Sequence, residues 1–380
     1  MLVVSLFRAQ KNITIIGEQM IDIKHYGYIE TEAPPDELLP GRVTEHQRTQ
    51  YTVITERGEV TAVLKGTFLH DAALRSDLPC VGDFVLLQFN DSGNSRITSL
   101  LPRHSVFSRL DVFGHGLAHI KANREQIVAA NFDYVFIMSS LNQDFNTNRI
   151  VRYLTQAWQS GGQPVVILTK ADLTPDFISK IADVQAVAPD VPVHAVSAHT
   201  GFGLDELSVY LQPRKTVVFL GMSGVGKSSL LNALMNQDVM TVKEIREDDS
   251  RGRHTTTHRQ LFMLPPLTGK TVGAMVIDTP GMRELGLLGA DEGISTNFSD
   301  VEKLMGRCRF SDCQHKTEPD CAILEAIRSG DLPAERWEQY LKQKRENKLV
   351  QDKSGFLRDK HARNKDIAKW SRQEKKRGRL

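Results

Sequence analysis

The chain has 380 residues, of which 40% are hydrophobic, and it carries a formal net charge of +2. This length can bury a full core and predicts two or three domains. No apolar run reaches the roughly 18 residues that a membrane span needs, and the apolar residues 1–7 lack the preceding basic residues of a secretory signal. We therefore expect a cytoplasmic protein without a membrane partner, with Met20 as an alternative start of translation.

The positive charge is concentrated at one end. Residues 341–380 contain fifteen Lys or Arg and five Asp or Glu, a net charge of +10, so the other 340 residues carry −8. An excess of one sign in a terminal segment is typical of contact with nucleic-acid phosphates. The alternative is a solvated end that has no partner.

Residues 1–40 have the composition of an irregular arm, and an all-β pattern follows at 41–103. Four short strands are predicted there, at 50–55, 60–65, 84–89 and 96–101. Short strands in close succession are typical of a small closed barrel, and an OB-type barrel is the candidate. Such a barrel binds nucleic acid in some proteins and is only structural in others, and the pattern does not decide between the two.

The next part, up to residue 290, alternates strands and helices and therefore predicts an α/β domain. We expect a linker at 102–120 and a helix at 149–159. The predicted buried strands are 133–139, 164–168, 191–196, 216–220 and 271–277.

Residues 221–228 spell G-x-x-x-x-G-K-S between a buried strand and an amphipathic helix, which is the phosphate-binding loop pattern. Its glycines let the backbone turn tightly and bring N–H groups to phosphates. Lys227 would neutralise charge on the β- and γ-phosphates, and Ser228 would offer its hydroxyl to Mg²⁺. The nucleotide contacts expected from this loop are Gly221, Met222, Ser223, Gly224, Val225, Gly226, Lys227, Ser228 and Ser229.

Residues 169–172 spell T-K-A-D, a form of the guanine-specificity motif, and the contacts expected are Thr169, Lys170 and Asp172. The Asp172 carboxylate can accept hydrogen bonds from N1–H and N2–H₂ of guanine. Adenine lacks that pair of donors, so the carboxylate would stay unpaired against ATP. The stem of Lys170 would pack over the base. Asp172 could instead cap the following helix.

Three further short motifs are typical of contacts with the base, with Mg²⁺ and with the γ-phosphate. Ser197 and Ala198 match the dipeptide that places a backbone N–H near guanine O6 in GTPases, although the dipeptide alone is not specific. Thr256 lies in a polar loop at 242–259 and can ligate Mg²⁺ when γ-phosphate is present; the alternative is a Thr-rich strand edge. Asp278 and Gly281 belong to D-x-x-G, in which the carboxylate holds Mg²⁺ through water and the glycine N–H senses the γ-phosphate.

Four potential metal ligands lie within fourteen residues: Cys308, Cys313, His315 and Cys321. Three thiols and an imidazole suit one tetrahedral Zn²⁺, and the absence of an open position indicates a structural ion. The alternative is a set of reduced, unligated cysteines in a loop. Cys80 stands apart and is expected to be a small buried hydrophobe.

All five GTPase motifs are present, but the two base-recognition motifs come before the phosphate loop. This order resembles the circularly permuted GTPases, and permutation is feasible because a compact sheet often brings its termini together. With a barrel before the core and a Cys/His cluster after it, the chain resembles the family of ribosome small-subunit-dependent GTPase A, bacterial assembly factors. The resemblance covers about residues 41–345 and rests on G-M-S-G-V-G-K-S, G-R-H-T-T-T and D-T-P-G-M.

The resemblance implies an α/β fold with a circularly permuted P-loop GTPase core, an N-terminal OB-type β-barrel and a C-terminal zinc-binding helical domain. The parts expected are an arm, a barrel, a GTPase domain, a zinc-binding domain and a basic tail, at 1–40, 41–103, 104–290, 291–348 and 349–380. It implies a monomer that binds GTP or GDP with Mg²⁺, one Zn²⁺ at the four ligands above, and the small ribosomal subunit with its rRNA. Hydrolysis would be stimulated by the subunit late in its assembly.

Helices are predicted at 321–328 and 334–348. On the second helix, Trp337, Tyr340 and Leu341 lie at helical spacing and are expected to pack in a core rather than stack on RNA. The basic tail is expected to contact RNA phosphates, since RNA is the partner that the resemblance implies.

The catalytic group is predicted from the residues around D-x-x-G and the threonine loop. Many GTPases use a Gln just after D-x-x-G to orient the attacking water, but Met282 stands there. His254, in G-R-H-T-T-T, is the candidate, with Lys227 stabilising the phosphate charge; the alternative is a histidine that contacts RNA or solvent. Potassium-dependent relatives have an Asn where this chain has Gly224, so no potassium site is expected.

Two other functions stay open at this point. An ATP-dependent enzyme could use the same phosphate loop, although T-K-A-D followed by Ser197-Ala198 argues against it. An RNA-binding scaffold could hold GTP with negligible turnover.

Overall fold

A computed structural model describes residues 21–30, 33–35, 37–72, 74–110, 125–142, 145–240, 259–279 and 290–348. A five-stranded barrel comes first. Its strands are β1 (Leu39–Gln47), β2 (Gln50–Thr55), β3 (Gly58–Leu64), β4 (Phe84–Gln88) and β5 (Ser95–Leu100), with helix α1 (Gly66–Asp71) before β4. The strand order is β1-β2-β3-β5-β4, and β4 pairs back onto β1, which closes the barrel.

The barrel confirms the OB-type prediction. Alternate residues of the strands point inward, and Val43, Val53, Val85, Leu87 and Ile97 form its buried core. The four strands predicted from the sequence are present: the bounds of β2 are as predicted, and those of the other three are shifted by one or two residues. Strand β1 was predicted only as part of the all-β pattern, because two of its pairing partners, β4 and a strand of the α/β domain, are distant in the sequence.

A six-stranded sheet forms the α/β domain, in the order β10-β9-β8-β11-β13-β12. Its strands are β8 (Tyr134–Ser140), β9 (Gln163–Thr169), β10 (Val193–Val196), β11 (Thr216–Leu220), β12 (Gln260–Met263) and β13 (Met275–Asp278). All pairs are parallel except β12 with β13. Parallel strands buried on both faces are typical of α/β proteins.

Helices cover both faces of this sheet. They are α2 (Thr147–Gln159), α3 (Phe177–Val187) and α4 (Lys227–Met235). Ile150 and Leu154 of α2 join one buried cluster, and Leu230 and Leu231 of α4 join the cluster on the opposite face. A helix was predicted at 149–159, where α2 lies, whereas the helix expected after Asp172 was given no bounds, because the hydrophobic side of α3 is short and only Val184 and Val187 are buried.

Two predicted boundaries were wrong. The linker prediction at 102–120 fails for β6 (Val106–Leu110), which pairs antiparallel with β7 (Glu125–Ala130); its partner is too distant in sequence to be seen locally. The strand predicted at 271–277 begins instead at Met275, because pairing with β11 starts there, opposite Thr216.

The barrel and the α/β sheet are joined into one continuous sheet through β1 and β12. Arg42 reinforces this joint from within. Its buried guanidinium donates hydrogen bonds to the carbonyls of Tyr26 (2.5 Å), Gly82 (3.2 Å) and Asn131 (2.7 Å). Burial lowers the pKa of Arg42 to about 10, against the opposing effect of Asp133 and Asp83. The side chain therefore connects the N-terminal segment, the barrel and the α/β domain.

Four helices complete the described chain: α5 (Asp291–Asn297), α6 (Ser299–Met305), α7 (Ala322–Ser329) and α8 (334–348). Trp337 and Tyr340 of α8 are 9% and 5% exposed in a core shared with α5–α7, so the packing prediction is confirmed. None of the helices in the described ranges has the length and apolarity of a membrane span.

The helices α5 and α8 dock on α2 through buried polar contacts. Thr155 of α2 donates a hydrogen bond to Gln343 Oε1 (2.6 Å) and accepts one from Asn297 Nδ2 (2.8 Å). Helix α5 packs so closely on α2 that a Cβ added at Gly293 would lie 2.3 Å from the Thr155 carbonyl oxygen. The helices α5 and α8 thus pack directly on a helix of the α/β domain.

Candidate nucleotide-binding and metal sites

The motifs found in the sequence meet at one edge of the α/β sheet. Strands β9, β10, β11 and β13 are parallel, and each is followed directly by a motif: T-K-A-D, Ser197-Ala198, the phosphate loop and D-x-x-G. The carboxyl ends of parallel strands lie on the same side, where α/β proteins bind ligands. The fold therefore brings the rotated motifs together in space.

The phosphate loop has the geometry of an anion site. Gly224 and Gly226 have φ of 82° and 97°, values that L side chains rarely adopt. The first backbone hydrogen bond into α4 runs from the Leu230 N–H to the Gly226 carbonyl (2.9 Å). The preceding N–H groups are therefore not used by the helix and, with the helix dipole, favour a bound phosphate.

Lys227 folds back onto this loop. Its Nζ donates hydrogen bonds to the carbonyls of Gly221 (2.7 Å) and Met222 (2.6 Å). These contacts hold the ammonium at the centre of the loop. An oxygen of a bound β- or γ-phosphate would replace one of these carbonyls as the acceptor. The position fits the charge-neutralising role expected from the sequence.

Asp278 is the strongest indication of a bound cation. Its side chain is 4% exposed, and Oδ1 has no hydrogen-bond partner among the described residues. Burial raises the pKa of Asp278, although the nearby Lys227 ammonium acts against this. An unpaired buried carboxylate oxygen beside a phosphate loop suits Mg²⁺, whose preferred ligands are oxygens and water, and Ser228 lies half-buried at the start of α4.

The base-recognition motif is attached to the phosphate loop. Thr169 Oγ1 donates a hydrogen bond to the Val225 carbonyl (2.6 Å). Lys170 has φ of 61°, and this left-handed conformation starts a short 3-10 helix at Ala171–Leu173. The Asp172 carboxylate is exposed and has no hydrogen-bond partner in the described ranges.

The alternative role for Asp172 as a helix cap is wrong. The N-cap of α3 is Asp176, and the short 3-10 helix begins after Lys170. The carboxylate is thus left available for a ligand with paired donors, such as the N1–H and N2–H₂ edge of guanine.

The loop after β10 is closed by its own hydrogen bonds. The Ser197 N–H donates to the Phe202 carbonyl (2.9 Å), and the Ser197 hydroxyl accepts from the Thr200 N–H (3.2 Å). The Ala198 N–H has no acceptor within the described chain. This amide is available to a carbonyl oxygen of a bound base.

Several expected residues lie outside the described ranges. They are His254, Thr256, Gly281 and Met282, together with the basic tail.

The four Cys/His ligands converge as expected for a metal site. Their ligand atoms all lie within 4.8 Å of one another. His315 Nδ1 is 3.5 Å from Cys308 Sγ and 3.4 Å from Cys321 Sγ, and the two sulfurs are 4.0 Å apart. Zn–S bonds of about 2.3 Å and Zn–N bonds of about 2.0 Å are expected at a tetrahedral Zn²⁺. They place a ligand nitrogen about 3.5 Å from a ligand sulfur, and two ligand sulfurs about 3.8 Å apart. The donor set and spacing therefore fit Zn²⁺.

Glu318, which the sequence analysis missed, shapes the loop between the last two ligands. Its carboxylate accepts hydrogen bonds from the N–H groups of Gln314 (2.9 Å), Lys316 (2.7 Å) and Thr317 (2.9 Å). These bonds lower the pKa of Glu318 to about 2. An acidic residue inside a short ligand loop is the signal that could have identified this support. The Trp337 ring packs edge-on against the His315 ring, with 5.3 Å between the ring centroids.

Comparisons with known proteins agree with this geometry. The RsgA GTPase family matches residues 101–288. Small ribosomal subunit biogenesis GTPase RsgA 1 of Listeria innocua is 46% identical over 306 residues, which are 80% of this chain and 83% of that protein. The protein of the same name from Oceanobacillus iheyensis is 41% identical over 317 residues, 83% of this chain and 87% of that protein.

Solved structures show the same architecture. YjeQ from Thermotoga maritima aligns with a TM-score of 0.59 at 27% identity, over 82% of this chain and 98% of that one. YloQ, described as a circularly permuted GTPase, aligns with a TM-score of 0.57 at 22% identity, over 82% and 96%, and this likeness concerns the fold alone. The fold is that of a circularly permuted GTPase, and the chain belongs to the RsgA GTPase family.

Proposed function

We propose that this chain hydrolyses GTP and acts as a late assembly factor of the small ribosomal subunit, which stimulates hydrolysis. The observation that carries the proposal is the convergence of four GTPase motifs on one sheet edge, in the rotated order. The printed names of the relatives, small ribosomal subunit biogenesis GTPases, supply the partner.

In this proposal guanine is held by Asp172, with Lys170 over the base and the Ala198 N–H on O6. The phosphates lie in the loop 221–229, where Lys227 neutralises their charge and the N–H groups donate hydrogen bonds. Selectivity for guanine follows because ATP would leave the Asp172 carboxylate without its donors. Thr169 contributes by holding the base motif against the phosphate loop.

Mg²⁺ would be held by Ser228, Thr256 and Asp278, and it would neutralise phosphate charge during hydrolysis. A structural Zn²⁺ would be held by Cys308, Cys313, His315 and Cys321, with Glu318 fixing the intervening loop.

The remaining parts have proposed roles in binding the subunit. The barrel and the tail at 349–380 contact rRNA, and the α/β domain at 104–290 carries the nucleotide. Nucleotide state is relayed to the zinc-binding domain at 291–348, because the chain continues from D-x-x-G into α5, which packs on α2. We propose a monomer that works in the cytoplasm, where the subunit is assembled.

The direct test is GTP turnover with and without purified small subunits, and cosedimentation with a non-hydrolysable GTP analogue against GDP. The proposal expects turnover to rise on addition of subunits, and binding to be tighter with the analogue. Turnover that stays negligible with subunits would support the scaffold alternative instead. ATP that competes equally with GTP would favour an ATP-dependent enzyme.

A further inference from the structure

The strand that leads into D-x-x-G leaves the sheet in an unusual way. Strands β11 and β13 pair in parallel, and near the start of their ladder the Met275 N–H donates a hydrogen bond to the Lys215 carbonyl (2.8 Å). In a parallel ladder, bonds of this kind recur at every second residue of both strands. Four residues further along, the same pattern would join the Thr279 N–H to the Phe219 carbonyl.

The side chain of Thr279 takes the place of that backbone bond. Its Oγ1 donates a hydrogen bond of 2.6 Å to the Phe219 carbonyl, and the described backbone groups include no bond between these two residues. Both residues are fully buried. A buried carbonyl without a donor is costly, so the hydroxyl satisfies the acceptor from which the backbone N–H has turned away.

The N–H that leaves the ladder acts on the neighbouring carboxylate. Burial opposes the negative charge of Asp278, whereas the Lys227 ammonium and the Thr279 N–H both favour it. Asp278 Oδ1 has no hydrogen-bond partner among the described residues. The departure from the ladder at Thr279 therefore leaves the carboxylate beside the phosphate loop, with one oxygen available to a cation.

The acceptor of the Thr279 hydroxyl is held firmly. Strand β11 is paired on both sides, and the Phe219 ring stacks on the Phe136 ring of β8, with 6.0 Å between the ring centroids. Two residues after Phe219, the phosphate loop begins at Gly221, whose carbonyl accepts a hydrogen bond from Lys227 Nζ (2.7 Å). The hydroxyl thus ties D-x-x-G to the strand that carries the phosphate loop.

We propose that Thr279 is a positioning residue of the Mg²⁺ site. Its hydroxyl holds the backbone of D-x-x-G out of the ladder and thereby sets the distance between the Asp278 carboxylate and the phosphate loop. The inference rests on the proposed function, which assigns Mg²⁺ to Asp278. It deepens that function by naming the group that couples the two motifs, although Thr279 itself touches neither the ion nor the nucleotide.

Two requirements meet at position 279. The side chain must donate a hydrogen bond, and it must fit a site without exposed surface. Serine provides the donor and valine provides the shape, so the two substitutions separate these requirements. Without the hydroxyl, the ladder pattern makes the N–H of residue 279 the nearest donor for the Phe219 carbonyl. That bond would extend the ladder and draw Asp278 towards the sheet.

The test uses the full chain and measures the affinity for a fluorescent, non-hydrolysable GTP analogue in saturating Mg²⁺ and in EDTA. The ratio of the two affinities reports the contribution of the ion, whereas a general loss of packing lowers both affinities together. Thr279→Val should lower this ratio about tenfold, as expected when a group that supports a metal ligand is lost. Thr279→Ser keeps the donor, and its ratio should remain close to that of the wild type.

Thr98→Val is the matched control. It also removes a hydroxyl that donates to a strand carbonyl, that of Leu86 (3.0 Å), but it lies in the barrel. Its ratio should equal that of the wild type. A cooperative thermal melt and unchanged zinc content show that each variant is folded. If Thr279→Val does not fold, Thr279→Cys takes its place with the same expected decrease, because a thiol is a weak donor.

The outcomes separate this inference from the proposed function. An unchanged ratio in the folded Thr279→Val or Thr279→Cys protein would overturn the inference, and so would an equal loss of affinity with and without Mg²⁺. A similar decrease in Thr98→Val would overturn it as well. If the wild-type chain itself binds the analogue equally in Mg²⁺ and in EDTA, the assignment of Mg²⁺ in the proposed function is wrong.

Discussion

The hydroxyl of Thr169 donates a hydrogen bond of 2.6 Å to the carbonyl of Val225. Both residues are buried, and they belong to the base-recognition motif and to the phosphate loop. In the sequence they are 56 positions apart, with the base motif first. This bond fixes the distance between the two halves of the nucleotide site, whichever half comes first in the chain.

Thr169→Val keeps the shape of this side chain and removes the donor. We expect the affinities for GTP and GDP to fall together about five- to tenfold, because a buried hydrogen bond contributes about 1 kcal/mol and the Val225 carbonyl is left unpaired. The comparison is Thr174→Val, which removes a hydroxyl bonded to the Leu141 carbonyl (3.2 Å). Fluorescent-nucleotide titration checks this, and equal affinity in the two variants would show that Thr169 does not position the loop.

Asp172→Asn should convert the base specificity. The amide donates a hydrogen bond where guanine also donates, whereas xanthine offers an acceptor. We expect GTP affinity to fall on the order of 100-fold, since two hydrogen bonds to a charged group are lost, and xanthosine triphosphate to bind better than GTP. Asp176→Asn, four residues on and also exposed, should change neither affinity. Unaltered GTP binding by the Asp172 variant would refute the motif assignment.

Local motifs were predicted well from the sequence, because each is a short run whose geometry depends on neighbouring residues. The phosphate loop after β11 and the Cys/His cluster are both of this kind. Closure of the barrel by β1 with β4, and the hairpin of β6 with β7, depend on distant partners and were missed or only outlined. The contact of α2 with α8, in which Thr155 meets Gln343, has no local pattern at all, since the two helices meet only after the domains dock.

Asp278 should make the nucleotide-free protein less stable. Burial raises the pKa of its carboxyl above 3.8, the value without burial, so the ionised form opposes folding at neutral pH. Asp278→Asn should raise the melting temperature of the nucleotide-free chain at pH 7. The gain should shrink as the pH falls through the raised pKa towards 3.8. The same variant should lose the Mg²⁺ dependence of GTP binding.

Asp300→Asn serves as the comparison, because it should change the melting temperature at pH 7 in the opposite direction. Burial alone would raise the pKa of Asp300, but hydrogen bonds from Arg336 lower it on balance. The ionised carboxylate therefore favours folding above its unfolded pKa, and this variant should melt earlier at pH 7. A destabilised Asp278→Asn protein would mean that the attraction to Lys227 outweighs the cost of burial.

Chain purified without chelator should contain one Zn²⁺. Glu318→Gln should weaken zinc about tenfold in chelator competition, because supports outside the ligand shell contribute 10–100-fold to metal affinity. The pKa of Glu318 is about 2. Its support is therefore complete above its unfolded pKa and is lost only as the pH falls towards 2. Glu325→Gln, exposed on α7, should leave zinc affinity unchanged; chain without zinc would refute the site.

The last prediction concerns activation of the attacking water. Met282 stands where many GTPases have the water-orienting Gln, and its side chain has no hydrogen-bonding amide. We propose that His254 acts instead, because a neutral imidazole can accept a hydrogen bond from water and histidine is the side chain that most often serves in acid–base catalysis. His254→Ala should therefore keep GTP affinity and subunit binding but lose most of the subunit-stimulated turnover, by about 100-fold. His258→Ala, four residues on, is the control and should keep that turnover. Met282→Gln added to His254→Ala should not restore it, because orientation of the water depends on the loop that carries the histidine. Full stimulated turnover in the His254→Ala protein would reject this histidine and point to a group that the ribosomal subunit supplies.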